Sequence, residues 1–187
     1  MKVLLGSHSP RRREILSGIN IEYTIVDTTC DETYPSSLKE GDIPLYIAKE
    51  KAEAYREQLQ KDELLITADT IVWLDGEVLG KPTDEEDACR MLAKIAGKTH
   101  QVYTGVAVTT IDKQTTFVDR TDVTFRELTE EEIRNYVHEY HPLDKAGSYG
   151  IQEYIGMIGC ISIHGSYFNV MGLPIHRLAE EIKKYLP

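Results

Sequence analysis

The chain has 187 residues, 41% of them hydrophobic and 28% charged, with a net charge of −10 at pH 7. That is enough to bury a real core as one domain or as two closely joined lobes. So acidic a balance excludes broad binding to nucleic acid or to anionic membranes, which needs a basic face. No run is long and apolar enough to span a bilayer, and no signal-peptide h-region follows the N-terminus. Cys30, Cys89 and Cys160 are odd in number and widely spaced, which suits neither a disulfide framework nor a zinc site. A reducing cytoplasm with cysteines used for packing is the expectation.

Strand and helix signals alternate along the chain. Residues 2–6 read as a strand, 10–18 as a helix closed by Gly18, and 21–26 as a second strand. Residues 27–42 form an irregular acidic loop. Helical spacing of Leu45, Ala48, Ala52, Tyr55 and Leu59 predicts a long helix over 43–61. Residues 64–68 are a compact apolar run, read as a buried strand ending just before Asp69. Residues 70–74 and 77–79 flank Asp75-Gly76, a strong hairpin signal. Thr83 and Glu86 read as a capping box for a helix ending near Gly97, and Thr129 and Glu132 as a second box for a helix stopping before Pro142. Residues 102–111 and 115–125 are expected to be long strands. The glycine-rich stretch 143–156 lacks clear periodicity. Residues 158–163 and 167–170 read as a hairpin across His164-Gly165, and a final helix covers 174–186. No repeat or linker interrupts the pattern, so one compact α/β unit over 1–187 is expected.

Several positions could carry chemistry. In Ser7-His8-Ser9-Pro10-Arg11-Arg12-Arg13, Pro10 suits a first helical turn and Ser9 suits an N-cap. Three arginines in that turn oppose the helix macrodipole. Either an anion such as phosphate compensates there, or the arginines fan out into water. An acidic chain that binds phosphate calls for a divalent cation to offset repulsion. Asp69, after a buried strand, is placed either to bind a metal and orient a water or to bond a nearby backbone N–H. Gly80-Lys81-Pro82 is not a P-loop; its lysine is either a positioned charge or part of a polar turn. Lys49 and Lys51, on the long helix, default to solvated side chains. The loop 144–152 carries glycines that permit close backbone approach, and Gln152 offers both a donor and an acceptor that could read a base edge, or serves as a surface side chain. The histidines form no recognised metal pattern, so no zinc is expected.

Taken together these segments resemble the Maf family of nucleoside triphosphate pyrophosphatases. The matching segments are Ser7-x-Ser9-Pro10-Arg11-Arg12, Glu50-Lys51-Ala52, Ala68-Asp69-Thr70-Ile71-Val72, Gly80-Lys81-Pro82, Thr99-His100-Gln101-Val102, Asp144-Lys145-Ala146-Gly147 with Tyr149-Gly150-Ile151-Gln152, and Val170-Met171-Gly172-Leu173-Pro174. They occur in order and run nearly end to end. The resemblance implies a mixed twisted α/β sheet flanked by helices, with two lobes around a central cleft, as in the related inosine triphosphate pyrophosphatases. It implies hydrolysis between the α- and β-phosphates of a nucleotide, with Asp69 as the proton acceptor. It further implies Ser7, Ser9, Arg12, Lys51 and Lys81 at the phosphates, Asp69 and Glu32 at a Mg²⁺ or Mn²⁺ ion, and a homodimer that binds a nucleoside triphosphate; Arg13 is expected in solvent, and the acidic charge leaves neither nucleic acid nor membrane as an expected partner.

Arg11, Thr70 and Gln152 match the branch acting on dTTP and UTP rather than the branch preferring 7-methyl-GTP. The rival readings are a 7-methyl-GTP or inosine triphosphate pyrophosphatase and a nucleotide-binding regulator of septum formation. Two departures from the family pattern stand out. Gly6 replaces a common alanine, and Glu153 replaces a common glycine. Because glutamate lacks glycine's access to positive φ, the expectation is that the loop tip differs.

Overall fold

The computed structural model describes residues 1–186. In chain order the elements are β1 (Lys2–Gly6), α1 (Pro10–Ser17), β2 (Tyr23–Ile25), α2 (Asp42–Tyr55), β3 (Glu63–Leu74), β4 (Glu77–Leu79), α3 (Glu85–Ile95), β5 (Thr99–Thr109), β6 (Gln114–Phe125), α4 (Glu130–Tyr140), α5 (Tyr154–Gly159), β7 (Cys160–His164), α6 (Tyr167–Val170) and α7 (Ile175–Ile182). Short 3₁₀ turns follow α2 at Arg56–Gln58 and precede α5 at Ala146–Ser148. The strands form a mixed sheet in the order β2-β1-β3-β5-β6-β7, with β4 paired to β3. The α/β expectation is met. Among the described residues no helix is long and apolar enough to cross a membrane.

The chain divides into two compact units. The first comprises Met1–Thr70, Thr104–Asp119 and the residues from Gly172 on; the second comprises Ile71–Tyr103 and Arg120–Met171. In the first unit β1 runs parallel to both β2 and β3, with Leu4 opposite Thr24 on one side and Leu65 on the other. Parallel strands are covered on both faces, and residues 64–68 are accordingly buried throughout. Helix α2 buries Ile43, Pro44, Ile47, Ala48 and Ala52. Leu4, Ala52, Leu59, Leu65 and Ala107 form a core cluster with Val26 and Tyr55 packed against it. Thr67 Oγ1 donates to the carbonyl of Ala48 at 2.6 Å, which fixes where α2 sits along β3.

In the second unit α3 buries Ala88, Leu92 and Ile95, and α4 buries Ile133, Tyr136 and Val137. The β3–β4 hairpin turns through Asp75 (φ 51°) and Gly76 (φ 90°), the two positive-φ residues that a primed two-residue turn requires. The capping box of α4 is present as expected, with Thr129 and Glu132 bonded reciprocally. Arg126 adds two bonds to the Glu132 carboxylate and, with the Thr129 N–H, holds its pKa down at about 2.

Four expectations are corrected. Residues 63–74 form one continuous strand, so Asp69 lies inside β3 rather than at a strand end. The cap of α3 is Asp84, whose side chain accepts from the Asp87 N–H, while Thr83 N donates to Asp87 Oδ2. The helix is therefore capped one residue later than the Thr83–Glu86 reading, and Asp87 reaches back to Thr83 rather than to the cap itself. Residues 154–159 are helical, with the strand beginning only at Cys160. Residues 167–170 form a short helix capped by Ser166, not the second arm of a hairpin. At 167–170 the Ser166 side chain, accepting from the Asn169 N–H, caps a helix where the apolar residues suit a strand.

Candidate active site

The first unit gathers most of the candidate residues. Asp69 and Thr70 are the two adjacent partly exposed positions in the otherwise buried first part of β3. Successive strand residues point to opposite faces, so Asp69 shares a face with Thr67, the residue bonded to Ala48. Lys51 lies one helical turn beyond Ala48 on α2 and is carried to the same side. Lys51 Nζ reaches Asp69 Oδ1 at 2.9 Å and Glu32 Oε1 at 2.8 Å. The Lys51 and Asp69 side chains are only 13% and 14% exposed, against 50% for Glu32. The default of a solvated lysine thus holds for Lys49, which is exposed, and is overturned for Lys51.

Thr70 faces the other way, toward Arg12. That guanidinium is buried and donates four times: Nε to the Gly172 carbonyl (2.7 Å), Nη1 to the Ala68 carbonyl (2.9 Å) and to Ser7 Oγ (3.3 Å), and Nη2 to Thr70 Oγ1 (3.0 Å). Thr70 Oγ1 also shares a hydrogen bond with Thr104 Oγ1 at 2.9 Å. Burial pulls the Arg12 pKa below its usual value, and the Asp69 carboxylate opposes that pull. Arg12 therefore ties the opening loop, the middle of β3 and the Gly172 turn together.

Helix α1 starts as the sequence suggests, with Ser9 as the N-cap accepting from the Arg12 N–H and Pro10 in the first turn. Ser7 Oγ accepts from the Ser9 N–H at 3.3 Å. A hydroxyl that accepts still carries a proton to donate, so Ser7 and Ser9 both retain a donor suited to an anion. Arg11 is partly exposed on the same turn. Arg13, expected in solvent, is half-buried, and its Nε is out of reach of water without a protein partner.

Two carboxylates converging on one cationic point are hard oxygen donors of the kind Mg²⁺ and Mn²⁺ take, usually alongside substrate phosphates rather than in an all-protein cage. The described residues contain no group of three or more His, Cys, Asp or Glu side chains ready to enclose a metal. Glu32 and Asp69 thus fit an ion that completes its shell with substrate and water.

The second unit holds Lys81 and Gln152. Lys81 is exposed between Gly80 and the buried Pro82. Gln152 precedes α5, and its Oε1 is buried with no protein partner. Lys145, Glu153 and Tyr136 form a buried polar cluster beside it that the sequence reading missed. Glu153 has φ −95° and ψ 175°, ordinary extended backbone, so the position does not call for the positive φ that glycine favours. His100 is fully buried, with Nε2 2.7 Å from Tyr149 Oη and its ring edge-on to Phe125 and Tyr149. The three cysteines are free and half-buried, and desolvation raises each thiol pKa, which leaves little reactive thiolate.

Comparison with known proteins extends over the same residues. A family described as Maf-like protein matches residues 2–185. A dTTP/UTP pyrophosphatase of Phocaeicola vulgatus is 60% identical over 184 residues, covering 98% of this chain and 95% of that protein. One from Bacteroides thetaiotaomicron is 55% identical, with the same coverages, and one from Flavobacterium psychrophilum is 46% identical over 95% of this chain and 91% of its own length. Among solved structures the Ham1 protein of Staphylococcus aureus superposes with a TM-score of 0.53 at 16% identity, covering 98% of this chain and 99% of that one, a likeness of fold.

Proposed function

Because the chain belongs to the Maf-like protein family, we propose that it is a dTTP/UTP pyrophosphatase, cleaving the nucleotide to its monophosphate and pyrophosphate. The observation that carries this reading is the Glu32–Lys51–Asp69 arrangement, in which the Lys51 ammonium on α2 lies within 3 Å of Asp69 on β3 and of Glu32 on the loop before α2, in a chain 60% identical to a relative of that name.

The chemistry asked of these residues is positioning and charge compensation, as in phosphoryl transfer generally. Asp69 orients the attacking water and takes its proton. Charge compensation at the phosphates calls for a cation beside these carboxylates, so the reading includes a divalent ion held by Asp69 and Glu32. When bound, such an ion lowers the pKa of its water and offsets phosphate charge. Lys51, already cationic between the two carboxylates, turns its charge toward phosphate oxygens as those carboxylates are engaged. Ser7 and Ser9 donate hydroxyl protons to the same oxygens. Arg12, with four bonds made inside the protein, contributes one remaining N–H and the field of a buried positive charge. To Lys81 the reading gives a further phosphate contact, and to Arg11, Thr70 and Gln152 the choice of base.

The test is pyrophosphate release from a panel of dTTP, UTP, CTP, ITP and 7-methyl-GTP with Mg²⁺ or Mn²⁺. The reading expects dTTP and UTP to be the best substrates. Faster turnover of 7-methyl-GTP or ITP overturns the substrate class, and binding without pyrophosphate release overturns the enzyme.

A further inference from the structure

We propose that Glu153 is a positioning residue whose carboxylate fixes the base-reading Gln152; the proposal rests on the role given to Gln152 above. Glu153 is not itself placed to touch the nucleotide. Its side chain is 19% exposed and turned into the second unit, where Tyr136 Oη donates to Oε2 and Lys145 Nζ lies 3.2 Å from Oε1. Tyr136 is anchored on the buried face of α4, 1% exposed.

The same tyrosine oxygen accepts from the Gly150 N–H at 3.1 Å, while the Glu153 N–H donates to the Gly150 carbonyl at 3.0 Å. Residues 150 and 153 are therefore joined twice, once directly and once through Tyr136. Ile151 and Gln152 are what that closed segment presents. Gly150 is matched to the arrangement, because a Cβ there would come within 2.7 Å of the Glu153 carboxyl carbon. Only a residue without a side chain lets the carboxylate lie across this backbone.

The network is sensitive to loss of its acid. Lys145 is 10% exposed, and its other partner, Asp144 at 2.8 Å, is 58% exposed and solvated. Without Glu153 the ammonium loses its buried counter-charge, and Tyr136 Oη loses its acceptor. Both changes free the Gly150 end of the segment. Gln152 Oε1, which has no protein partner, has nothing of its own to hold the amide in place. Its orientation comes from the backbone on either side, and that backbone is what Glu153 secures.

The experiment compares Glu153→Ala, Glu153→Gln, Tyr136→Phe and the Tyr136→Phe/Glu153→Ala double variant with the natural enzyme. It reads kcat and KM for UTP and CTP, and amide hydrogen exchange over residues 149–153. Glu153→Ala and Tyr136→Phe should each raise KM for UTP about tenfold, keep kcat within about threefold and lower the UTP-over-CTP preference, as expected when ground-state positioning is lost. The double variant should be no worse than the single ones, because both break one chain of bonds. Glu153→Gln, which keeps an acceptor for Tyr136 but not the charge, should fall between, and it carries the test if the alanine variant does not fold. Exchange at Gly150 should quicken in all of them. Unchanged KM, preference and exchange overturn the proposal, as does a fall in kcat at constant KM. If the natural enzyme prefers a nucleotide other than UTP, the substrate reading fails by itself. The KM split is then measured on the preferred nucleotide, and the exchange result judges the positioning role regardless of substrate.

Discussion

Lys51 Nζ stands 2.9 Å from Asp69 Oδ1, with both side chains nearly buried, because the Thr67–Ala48 hydrogen bond sets α2 against β3 one turn and two residues earlier. The ammonium lies between Asp69 and Glu32, the two carboxylates proposed above to hold a divalent ion. Each of these three residues therefore makes a different demand on stability and turnover.

Asp69→Asn keeps the shape and volume of the side chain but removes the charge, and with it the proton acceptor that the proposed reaction needs. Turnover should fall by about 10³-fold or more, with the far-ultraviolet circular dichroism unchanged. Near-normal pyrophosphate release by this variant excludes Asp69 as the base.

Lys51→Met leaves two carboxylates facing each other without their shared cation, one of them 14% exposed. Losing one partner of a buried pair costs more than the pair contributes. The melting temperature should drop by several degrees, and turnover should be lost. Lys49→Met, at an exposed position two residues away, should change neither. Equal effects in the two variants contradict the buried role of Lys51.

Arg12→Lys cannot reproduce four fixed donor directions. The Gly172 and Ala68 carbonyls lose a buried partner, at about 1–3 kcal/mol for each unsatisfied group. Urea unfolding should show the midpoint shifting down with the slope unchanged. Arg11→Ala, on the same turn but partly exposed, should leave the midpoint in place and raise KM. The pair separates an arginine that holds this part of the fold together from one proposed to meet the substrate.

His100 is held neutral by burial, its pKa lowered to about 4 from 6.5. Above pH 6.5 the folded and unfolded chains both carry the neutral ring, and the fold loses nothing. Between pH 6.5 and 4 the unfolded chain binds the extra proton, so stability falls as pH falls, by about 3 kcal/mol once both pKa values are passed. His100→Asn should flatten this part of the pH profile relative to the natural protein, measured by urea unfolding at pH 7, 6, 5 and 4. Equal slopes would place the titrating ring elsewhere.

Local rules account for a good part of what was read from the residues. Ser9 caps α1, Asp75-Gly76 turns the hairpin, and Thr129 with Glu132 opens α4, because each depends on groups within four residues of one another. The same rules failed at 158–159 and 167–170, where a few apolar residues suit a strand and a short helix equally well. Lys51 and Lys49 look alike on the page. One becomes a buried ion and the other a solvated one through the packing of α2 on β3, 18 residues away along the chain.

The order of residues was sufficient for the family, for the α/β class and for Asp69, Lys51 and Glu32 as candidates, since these rest on composition, short-range chemistry and motifs that survive without coordinates. Folding alone decided that Arg12 spends its donors on Ser7, Ala68, Thr70 and a carbonyl 160 residues distant, that His100 lies neutral in an aromatic cluster, and that Glu153 closes a loop through Tyr136. Each of those outcomes depends on which buried polar group finds a partner once water is excluded, and that pairing is made by contacts between segments far apart in the chain.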